Sequence, residues 1–454
     1  MSQPYRTLFV GTLVQESFLS VGGRDDPNSS IDSPFCLDGQ DRPTLRGSGL
    51  AGALIATLRR IQAVPLTISG AQSERQPSVW RCFNSHPLAI PRAVVRQHVA
   101  IDARTGAAAT GMLFDVETLP PETRWPFLLE VDTSRDPDAA KLARQVLGQW
   151  AAGRCLLGRE VARGLGWMRL RDCKEYVLTT DHLERWPCAP AGDDYPGYIA
   201  AEFPESARPL ETAAEPLSGW CEITGTLTAG EYRPTWHGDR ESGWGLDSLS
   251  IGGHASDELQ ANWSDRFLAP DGLPDPAKDF DPDSNVVTYP AWGNERLPYI
   301  PGSSLRGPLR HALARLLRAG GHVDDDTWPP LVRALFGTTE NSGKLLIRDA
   351  FPDPNSELRL AWFQHHAEDE FTAGTYESSK FDRVAVMQGC FRWRMVLEET
   401  NQETAEERQA HRQALRDLLT LGENGQIGIG GGQWRGHGWL RWQVDRFDGE
   451  KDTA

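Results

Sequence analysis

The chain contains the same strand-to-helix corner twice. Residues 43–56 read PTLRGSGLAGALIA and residues 298–311 read PYIPGSSLRGPLRH, so the second copy lies 255 positions after the first. In each copy an extended run ends at a glycine, and leucines then recur at helical spacing. A repeated corner constrains the fold strongly, because it predicts two copies of one structural unit and not a single large core.

Three further segments occur twice, in the same order. The tripeptide GTL around Gly11 recurs around Gly225, and the glycine pair 22–23 recurs at 252–253. Near the end of each half, ARGLGWMRL at 162–170 matches WRGHGWLRW at 434–442. The offset between copies grows from 214 to 272 along the chain, as insertions in the second copy would require. A length of 454 residues suits two domains of about 200 residues. We therefore predict a first module at 1–215 and a second, with longer insertions, at 216–454.

Each corner predicts the start of an amphipathic helix. We expect Ser303 or Ser304 to cap the second helix, and Ser48 to take this position in the first. Backbone N–H groups left free at such a helix start bind a phosphate by donating hydrogen bonds to it. The alternative is that each corner is an ordinary strand-to-helix turn. Short β runs alternate with few long helical patterns, which indicates an α+β fold. The apolar helical positions are Leu50, Leu54, Leu58 and Ile61 in the first copy, and Leu305, Leu309, Leu313 and Leu316 in the second.

The late glycine-rich segments carry an arginine beside their glycines. Arg163 and Gly164 in the first copy match Arg435 and Gly436 in the second. Such a segment is either a flexible loop that lays backbone amides against a phosphodiester, or a tight turn into a final strand. The run GTTENSGKL at 337–345 lacks the spacing of a P-loop, which argues against an ATPase.

The net charge of −16 argues against nucleic-acid binding by the chain as a whole, because phosphate binding depends on lysine and arginine. The acidic residues cluster in segments such as 275–284 and 322–328, so a locally basic groove remains compatible with the charge. The sequence has no apolar run long enough to cross a membrane and no secretory leader, so we expect a cytoplasmic protein with no membrane partner.

The order of these motifs resembles the RAMP superfamily of CRISPR-associated proteins, and within it the backbone subunits of type III effector complexes. The first half has IDSPFCLDGQDRPTLRGSGLAGAL at 31–54, and the second has LPYIPGSSLRGPLRHAL at 297–313. Segments 99–121, 345–351 and 371–386 follow in the order that the family shows. The resemblance spans nearly the whole chain, twice.

This resemblance implies two fused RRM-like, ferredoxin-like RAMP modules with thumb and loop insertions. It also implies that the chain binds a CRISPR guide RNA (crRNA) and complementary target RNA beside other CRISPR effector subunits. Arginines and backbone amides would hold the phosphates, and guide–target pairing would supply sequence recognition. The expected RNA-binding residues are Arg46, Ser48, Ser303, Ser304, Arg306, Arg163, Gly164, Arg435 and Gly436.

The resemblance implies that an aspartate in the IDSP loop, here Asp32, is required for cutting target RNA. The chain would then be a metal-dependent endoribonuclease, with Asp32 holding a divalent ion, Mg²⁺, or orienting the attacking 2′-hydroxyl. Without the family, Asp32 would simply start a turn with Ser33 and Pro34. Asp283, in a similar Asp-Ser context, is the candidate in the second half, and Asp281 and Asp26 are secondary candidates.

Three other functions remain open from the sequence. The first is a non-catalytic crRNA-binding scaffold. The second is a crRNA-processing RAMP endoribonuclease that uses histidines such as His98, His365, His366 or His437, although the tandem layout and the IDSP loop count against it. The third is a duplicated metabolic enzyme, for which we find no cofactor motif.

Overall fold

The structure is a computed structural model, and the chain splits into two compact units, Met1–Trp220 and Cys221–Ala454. The sequence prediction placed the division between residues 215 and 216. The described residues are 4–23, 31–70, 76–101, 108–182, 195–210, 216–230, 249–250, 252–253, 285–290, 296–321, 328–338, 340–368, 371–372, 374–375, 379, 381–400 and 402–448.

The first unit combines an antiparallel sheet with helices and a separate two-stranded hairpin. Its strands are β1 (Pro4–Gln15), β2 (Trp80–Cys82), β3 (Val94–Ile101), β4 (Ala108–Thr118), β5 (Arg124–Val131), β6 (Cys155–Leu156), β7 (Trp167–Thr179) and β8 (Ala207–Pro209). Its helices are α1 (Gly47–Ile61), α2 (Leu66–Ser69), α3 (Ala139–Ala151) and α4 (Tyr195–Glu202).

The main sheet of the first unit has the order β2-β5-β1-β7-β6, with β8 also paired to β7. Its central strands are antiparallel, with Phe9 of β1 opposite Leu129 of β5 and Glu175 of β7. Along the chain the principal elements run β1-α1-β2-β5-α3-β7, which is the βαββαβ order of a ferredoxin-like domain. The hairpin β3–β4 is an insertion between the second and third strands of this pattern.

The second unit repeats this arrangement. Its strands are β9 (Trp220–Ala229), β10 (Gly252–Gly253), β11 (Asn285–Val286), β12 (Thr288–Pro290), β13 (Arg296–Pro298), β14 (Leu345–Ile347), β15 (Phe351–Pro352), β16 (Arg359–His365), β17 (Phe381–Glu398) and β18 (Arg441–Phe447). Its helices are α5 (Gly302–Ala319), α6 (Pro330–Phe336) and α7 (Ala405–Glu423).

The sheet order β14-β17-β9-β18 in the second unit corresponds strand for strand to β2-β5-β1-β7 in the first. The long strand β17 replaces both β4 and β5, since its first part pairs with β16 and its last part pairs with β14. The two hairpins, β3–β4 and β16–β17, overlap the segments that the resemblance assigns to thumbs. The predicted α+β fold with two copies of one module is confirmed.

In each unit the leucine stripes predicted from the sequence bury one face of the first helix. Leu50, Leu54 and Leu58 of α1 are at most 1% exposed, and they pack with α3 against the sheet. Leu305, Leu309 and Leu313 of α5 are equally buried in the core that α7 completes. Ile61 and Leu316, at the edge of each stripe, are half-buried. Among the described residues, no helix has both the length and the apolar character needed to cross a membrane.

The helix starts at the two corners differ from the predicted serine caps. Arg46 and Pro301 precede the helices in extended conformation, and neither start has a side-chain cap from its own turn. The first amide is instead bound from a distant segment: Gly47 N donates to Asn84 Oδ1 at 2.9 Å, and Gly302 N donates to Asp349 Oδ1 at 2.7 Å. The expected capping by Ser48, Ser303 or Ser304 is therefore wrong.

A short backbone bridge fixes each long-range cap. Leu45 and Ser85 exchange two backbone hydrogen bonds of 2.9 Å, and Ile300 and Ala350 do the same at 2.9 and 2.8 Å. Because the bridge places the end of β2 or β14 beside the corner, the residue just before Ser85 or Ala350 reaches the helix start. The corner is therefore a three-part structure of strand end, helix start and a distant polar side chain, built twice.

We predict that Asp349→Ala lowers the free energy of unfolding by about 1–3 kcal/mol, because it leaves a buried amide N–H without its acceptor. Asp349 is 0% exposed. Asn84→Ala should cost less, about 0.5–1.5 kcal/mol, because Asn84 is exposed and water replaces it. Denaturant unfolding of the full chain measures both, with Asp349→Asn as the control that retains an acceptor. Equal stability of Asp349→Ala and wild type would contradict this role.

Candidate nucleic-acid interface

Asp32 lies at the foot of the β3–β4 hairpin. Its Oδ2 accepts the backbone N–H of Asp115 in β4 at 2.9 Å, and the residue itself is exposed. The next residue continues the contact, since Ser33 N donates to Asp115 O at 3.1 Å and Glu117 N donates to Ser33 O at 3.0 Å. The IDSP loop therefore forms a short parallel strand on β4, and it presents the Asp32 carboxylate beside the hairpin.

The first glycine pair holds this loop in place. Gly22 forms a bridge with Phe35, and Gly23 N donates to Pro34 O at 3.0 Å. A Cβ on Gly23 would lie 2.5 Å from Phe35 O, a distance that real Cβ atoms essentially never show. Gly23 is therefore a glycine because two backbone segments meet there without room for a side chain, whereas a Cβ on Gly22 would meet the side chain of Arg159.

Three polar groups surround the Asp32 loop. Arg159 Nη1 donates to Ser33 Oγ at 3.3 Å, which brings a cation to the loop. Glu117 Oε2 accepts the N–H of Phe35 at 2.8 Å and so fixes the end of the loop. Asp115 Oδ1 is buried and has no hydrogen-bond partner among the described residues. The site thus combines an exposed carboxylate, a second carboxylate with an unsatisfied oxygen, and a guanidinium.

The second unit repeats the backbone of this site. Gly252 pairs with Val286 as Gly22 pairs with Phe35. Tyr299 N donates to Val287 O at 3.3 Å, as Thr44 N donates to Cys36 O at 2.9 Å in the first unit.

Counting residues back from these paired positions places the two candidate aspartates at equivalent positions in the sequence. Asp32 stands three residues before Phe35, and Asp283 stands three residues before Val286. Asp283, Asp281 and Asp26 lie outside the described residues, so the equivalence rests on the pairing of their described neighbours.

The glycine-rich segments are tight turns that lead into β7 and β18. Each contains one turn of 3₁₀ helix, Val161–Arg163 or Gln433–Arg435. Leu157 N donates to Gly166 O at 2.9 Å, and Ile429 N donates to Gly438 O at the same distance. Gly166 and Gly438 have φ values of 74° and 91°, and a Cβ on either would overlap a carbonyl oxygen. Of the two structures predicted for these segments, the tight turn is the one observed.

In each unit, an arginine of the glycine-rich turn lies over an aromatic ring of the hairpin. The rings of His98 and Phe114 stack at 5.0 Å, and Arg163 Cζ lies 5.9 Å from the Phe114 ring centre. In the second unit His365 stacks on Phe381 at 4.9 Å, and Arg435 Cζ lies 5.2 Å from that ring centre. Both pairs stand opposite each other across their hairpins. The same arginine–phenylalanine–histidine stack therefore joins turn to hairpin in both units.

Sequence reasoning missed this stack, although it has a repeat signal. Gln-His at 97–98 recurs at 364–365, and Phe-Asp at 114–115 recurs at 381–382, each 267 positions later. This offset falls between those of the corner and the glycine-rich turn, as an aligned repeat requires. Two dipeptides carry little weight alone, and the strand pairing is what makes them equivalent.

Burial lowers the pKa of both stacked histidines below its ordinary value. It lowers the pKa of His98 from 6.5 to about 3, with Arg96 and Arg163 adding to the effect. It also lowers the pKa of His365, with Arg383 and Arg435 contributing. A histidine pair for RNA cleavage needs accessible rings that trade protons near neutral pH. The environment of His98 and His365 is unsuited to that role.

The structure separates the predicted RNA-binding residues into two groups. Arg46, Ser48, Arg163, Arg435 and Gly436 are exposed, and Ser303 and Ser304 are half-buried in the first turn of α5.

Arg306 is half-buried and uses its guanidinium within the protein, and Gly164 is buried. Arg306 donates to Leu345 O and Phe336 O, each at 2.7 Å, and Gly164 is buried in its turn. The guanidinium of Arg306 thus braces α5 against its neighbours. The buried Asp349 already accepts the first amide N–H of α5, from Gly302, so that group is not free to bind a phosphate.

Comparison with known proteins defines the family. The RAMP superfamily profile matches the chain twice, at residues 21–169 and 291–441. The chain therefore belongs to the RAMP superfamily and carries two copies of its module. It is also similar to the "CRISPR system Cms endoribonuclease Csm3" of Enterococcus italicus, with 30% identity over 178 residues that cover 37% of this chain and 79% of that protein.

We predict that acid destabilises the first unit through His98. Below about pH 6.5 the unfolded chain binds a proton at this histidine, whereas the folded chain does so only near pH 3, so stability is lost as the pH falls between these values. The loss is at most about 1.4 kcal/mol per pH unit, and Glu160 Oε2, 3.4 Å from His98 Nε2, offsets part of it.

His98→Phe keeps the stacking on Phe114 and removes the titration. The melting temperature should fall less between pH 7.5 and pH 5 in this variant than in wild type. An identical fall in both proteins would contradict the assignment.

Proposed function

We propose that this chain is a crRNA-binding backbone subunit of a type III CRISPR effector complex that cleaves complementary target RNA at two positions. The observation that carries the proposal is a repeated arrangement: a glycine pair, a hairpin and a glycine-rich turn occur in each unit. In the sequence, an Asp-Ser pair begins three residues before the residue that bridges the first glycine of each pair. Family membership and the printed name of the Enterococcus italicus relative, which is an endoribonuclease of a CRISPR system, support it.

The proposed cleavage is an attack of an RNA 2′-hydroxyl on the adjacent phosphorus. The 2′-O–P bond forms, the P–O5′ bond breaks, and the leaving 5′-oxygen takes a proton from water. Asp32 would orient the 2′-hydroxyl and accept its proton, and its exposure at the hairpin leaves it accessible to RNA. A hairpin that displaces one nucleotide from the guide–target duplex would bring the backbone close to in-line geometry.

A divalent ion, Mg²⁺, fits this site only if RNA supplies part of its coordination. No group of three histidine, cysteine or acidic side chains suited to a metal occurs among the described residues. Mg²⁺ is commonly held by one or two carboxylates with substrate phosphates and water. In the alternative role, Asp32 would hold the ion instead of accepting the proton, and the unsatisfied Oδ1 of Asp115 is a second oxygen at the same loop. The ion would neutralise charge that develops on the phosphate.

The guide RNA would lie along the exposed arginines of the corner and the turns. Arg46 is exposed at the start of α1, where the cap from Asn84 is neutral. Arg163 and Arg435 lie over the hairpin rings in their respective units. Arg46 and Arg435 would supply positive charge for phosphate binding locally, although the whole chain is acidic. Arg163 would have to exchange its Glu160 partner for a phosphate.

We predict that Asp32→Asn abolishes one cut in the target RNA and Asp283→Asn abolishes another. Each substitution should slow its own cut by about 100-fold or more, because the carboxylate that accepts the proton is lost. The complex is assembled with its guide and an end-labelled matched RNA in Mg²⁺, and the cut products are resolved by length.

One control and one further variant accompany this experiment. Asp41→Asn removes an exposed carboxylate of the same loop region and should leave every cut unchanged. Asp281→Asn tests the neighbouring candidate in the second unit. If Asp32→Asn and Asp283→Asn both leave every cut in place while target RNA remains bound, the chain is a non-catalytic scaffold.

A further inference from the structure

The glycine-rich turn of the second unit carries an indole ring that is almost entirely in solvent. Trp434 is 97% exposed. The turn beneath it is fixed by backbone hydrogen bonds, from Arg435 N to Gly432 O at 2.8 Å and from His437 N to Gly432 O at 3.2 Å. The chain therefore presents a large apolar ring on an ordered turn, an arrangement with no benefit for the core.

Two arginines lie at this turn: Arg435 belongs to it, and a Cβ on Gly432 of the turn would lie 2.4 Å from Arg383 Nη1. Arg435 Cζ and Arg383 Cζ lie 5.2 and 5.9 Å from the centre of the same ring, that of Phe381. Arg383 Nη1 also donates to Ser250 Oγ at 3.4 Å. Neither guanidinium forms an ion pair with a carboxylate among the described residues, and Arg435 together with burial lowers the pKa of Arg383. Two like charges held together in this way favour the binding of an anion.

The equivalent turn of the first unit lacks the exposed indole and the second arginine, although Arg163 lies over Phe114 as Arg435 lies over Phe381. Ala162 stands where Trp434 stands, and Val116 stands where Arg383 stands in the hairpin. Arg163, the counterpart of Arg435, pairs with Glu160 at 3.2 Å, and the counterpart of Glu160 is Gly432. Within the part of the chain that the structure describes, the exposed ring and two arginines without a carboxylate partner therefore occur together in one unit, although the backbone of the turn is shared.

We propose that Trp434, Arg435 and Arg383 form a nucleotide subsite for single-stranded RNA, in which an unpaired base stacks on the indole and its phosphate binds the two guanidiniums. The flat ring suits a base, since every base offers a π-face, and the paired cations suit a phosphate. A protein partner that covered Trp434 by apolar contact alone would leave the two arginines without an anion. This inference rests on the proposed RNA-binding function and assigns the second unit an RNA contact that the first unit lacks.

The test measures binding of the full chain to a short fluorescein-labelled single-stranded RNA by fluorescence anisotropy. Trp434→Leu keeps an apolar side chain but loses the flat ring, and it should weaken binding by about 5- to 150-fold. Trp434→Phe retains a ring and should lose less. Arg333→Gln, which removes an exposed arginine elsewhere in the second unit, is the charge control and should bind like wild type.

Salt dependence and a duplex probe separate stacking from charge. Arg435→Gln should reduce the slope of log Kd against log salt by about 0.7, while Trp434→Leu leaves it unchanged. A duplex RNA of the same sequence, which has no unpaired base, should show no dependence on Trp434.

Each contrary result has a distinct meaning. Wild-type affinity in Trp434→Leu, or equal losses for Trp434→Phe and Trp434→Leu, would overturn the subsite while leaving the proposed function intact. Equal losses on duplex RNA would overturn stacking in the same way. Failure of the wild-type chain to bind RNA at all would contradict the proposed function, and the subsite with it.

Discussion

The close approach of two backbone segments at the glycine pair is the contact on which the candidate site depends. Gly23 N binds Pro34 O, and no Cβ fits at Gly23. This contact presses the IDSP loop against β4, where Asp32 accepts an amide N–H of the hairpin. A side chain at Gly23 would push the loop away, and the carboxylate would no longer lie at the foot of the hairpin. The second unit pairs Gly252 and Gly253 with Val286 and Asn285 in the same manner.

Around this shared backbone the two units have diverged in their side chains. The helix start binds a neutral Asn84 in one unit and a buried Asp349 in the other. The glycine-rich turn carries a neutralised Arg163 in one unit, and Arg435 beside an exposed Trp434 in the other. Backbone contacts thus preserve the position of each element, while the local charge and the aromatic surface differ. We infer that the units bind the same class of ligand through different contacts.

The repeat and the fold class could be predicted from the sequence because tight backbone contacts require glycine, and glycine leaves a visible motif. The leucine stripes of α1 and α5 were predictable for a different reason: burial of one helix face makes apolar residues recur with the helical period. The caps from Asn84 and Asp349 were not, because they depend on contacts between segments far apart in the chain and use different residue types. The His98–Phe114 and His365–Phe381 pairs were missed because strand register, and not composition, brings them together. Asp283 was singled out by its Asp-Ser context, and the pairing of Val286 adds a reason that the sequence alone does not contain.

We propose that one chain presents two RNA-binding units with a shared backbone arrangement to one guide. Ultraviolet crosslinking of the assembled complex, followed by mapping of crosslinked peptides and guide positions, tests it most directly. We predict crosslinks from both glycine-rich turns, residues 158–166 and 430–438. They should fall at two guide positions whose separation stays constant when the guide sequence is changed. Crosslinks confined to one unit, or absent from both turns while the guide remains bound, would contradict it.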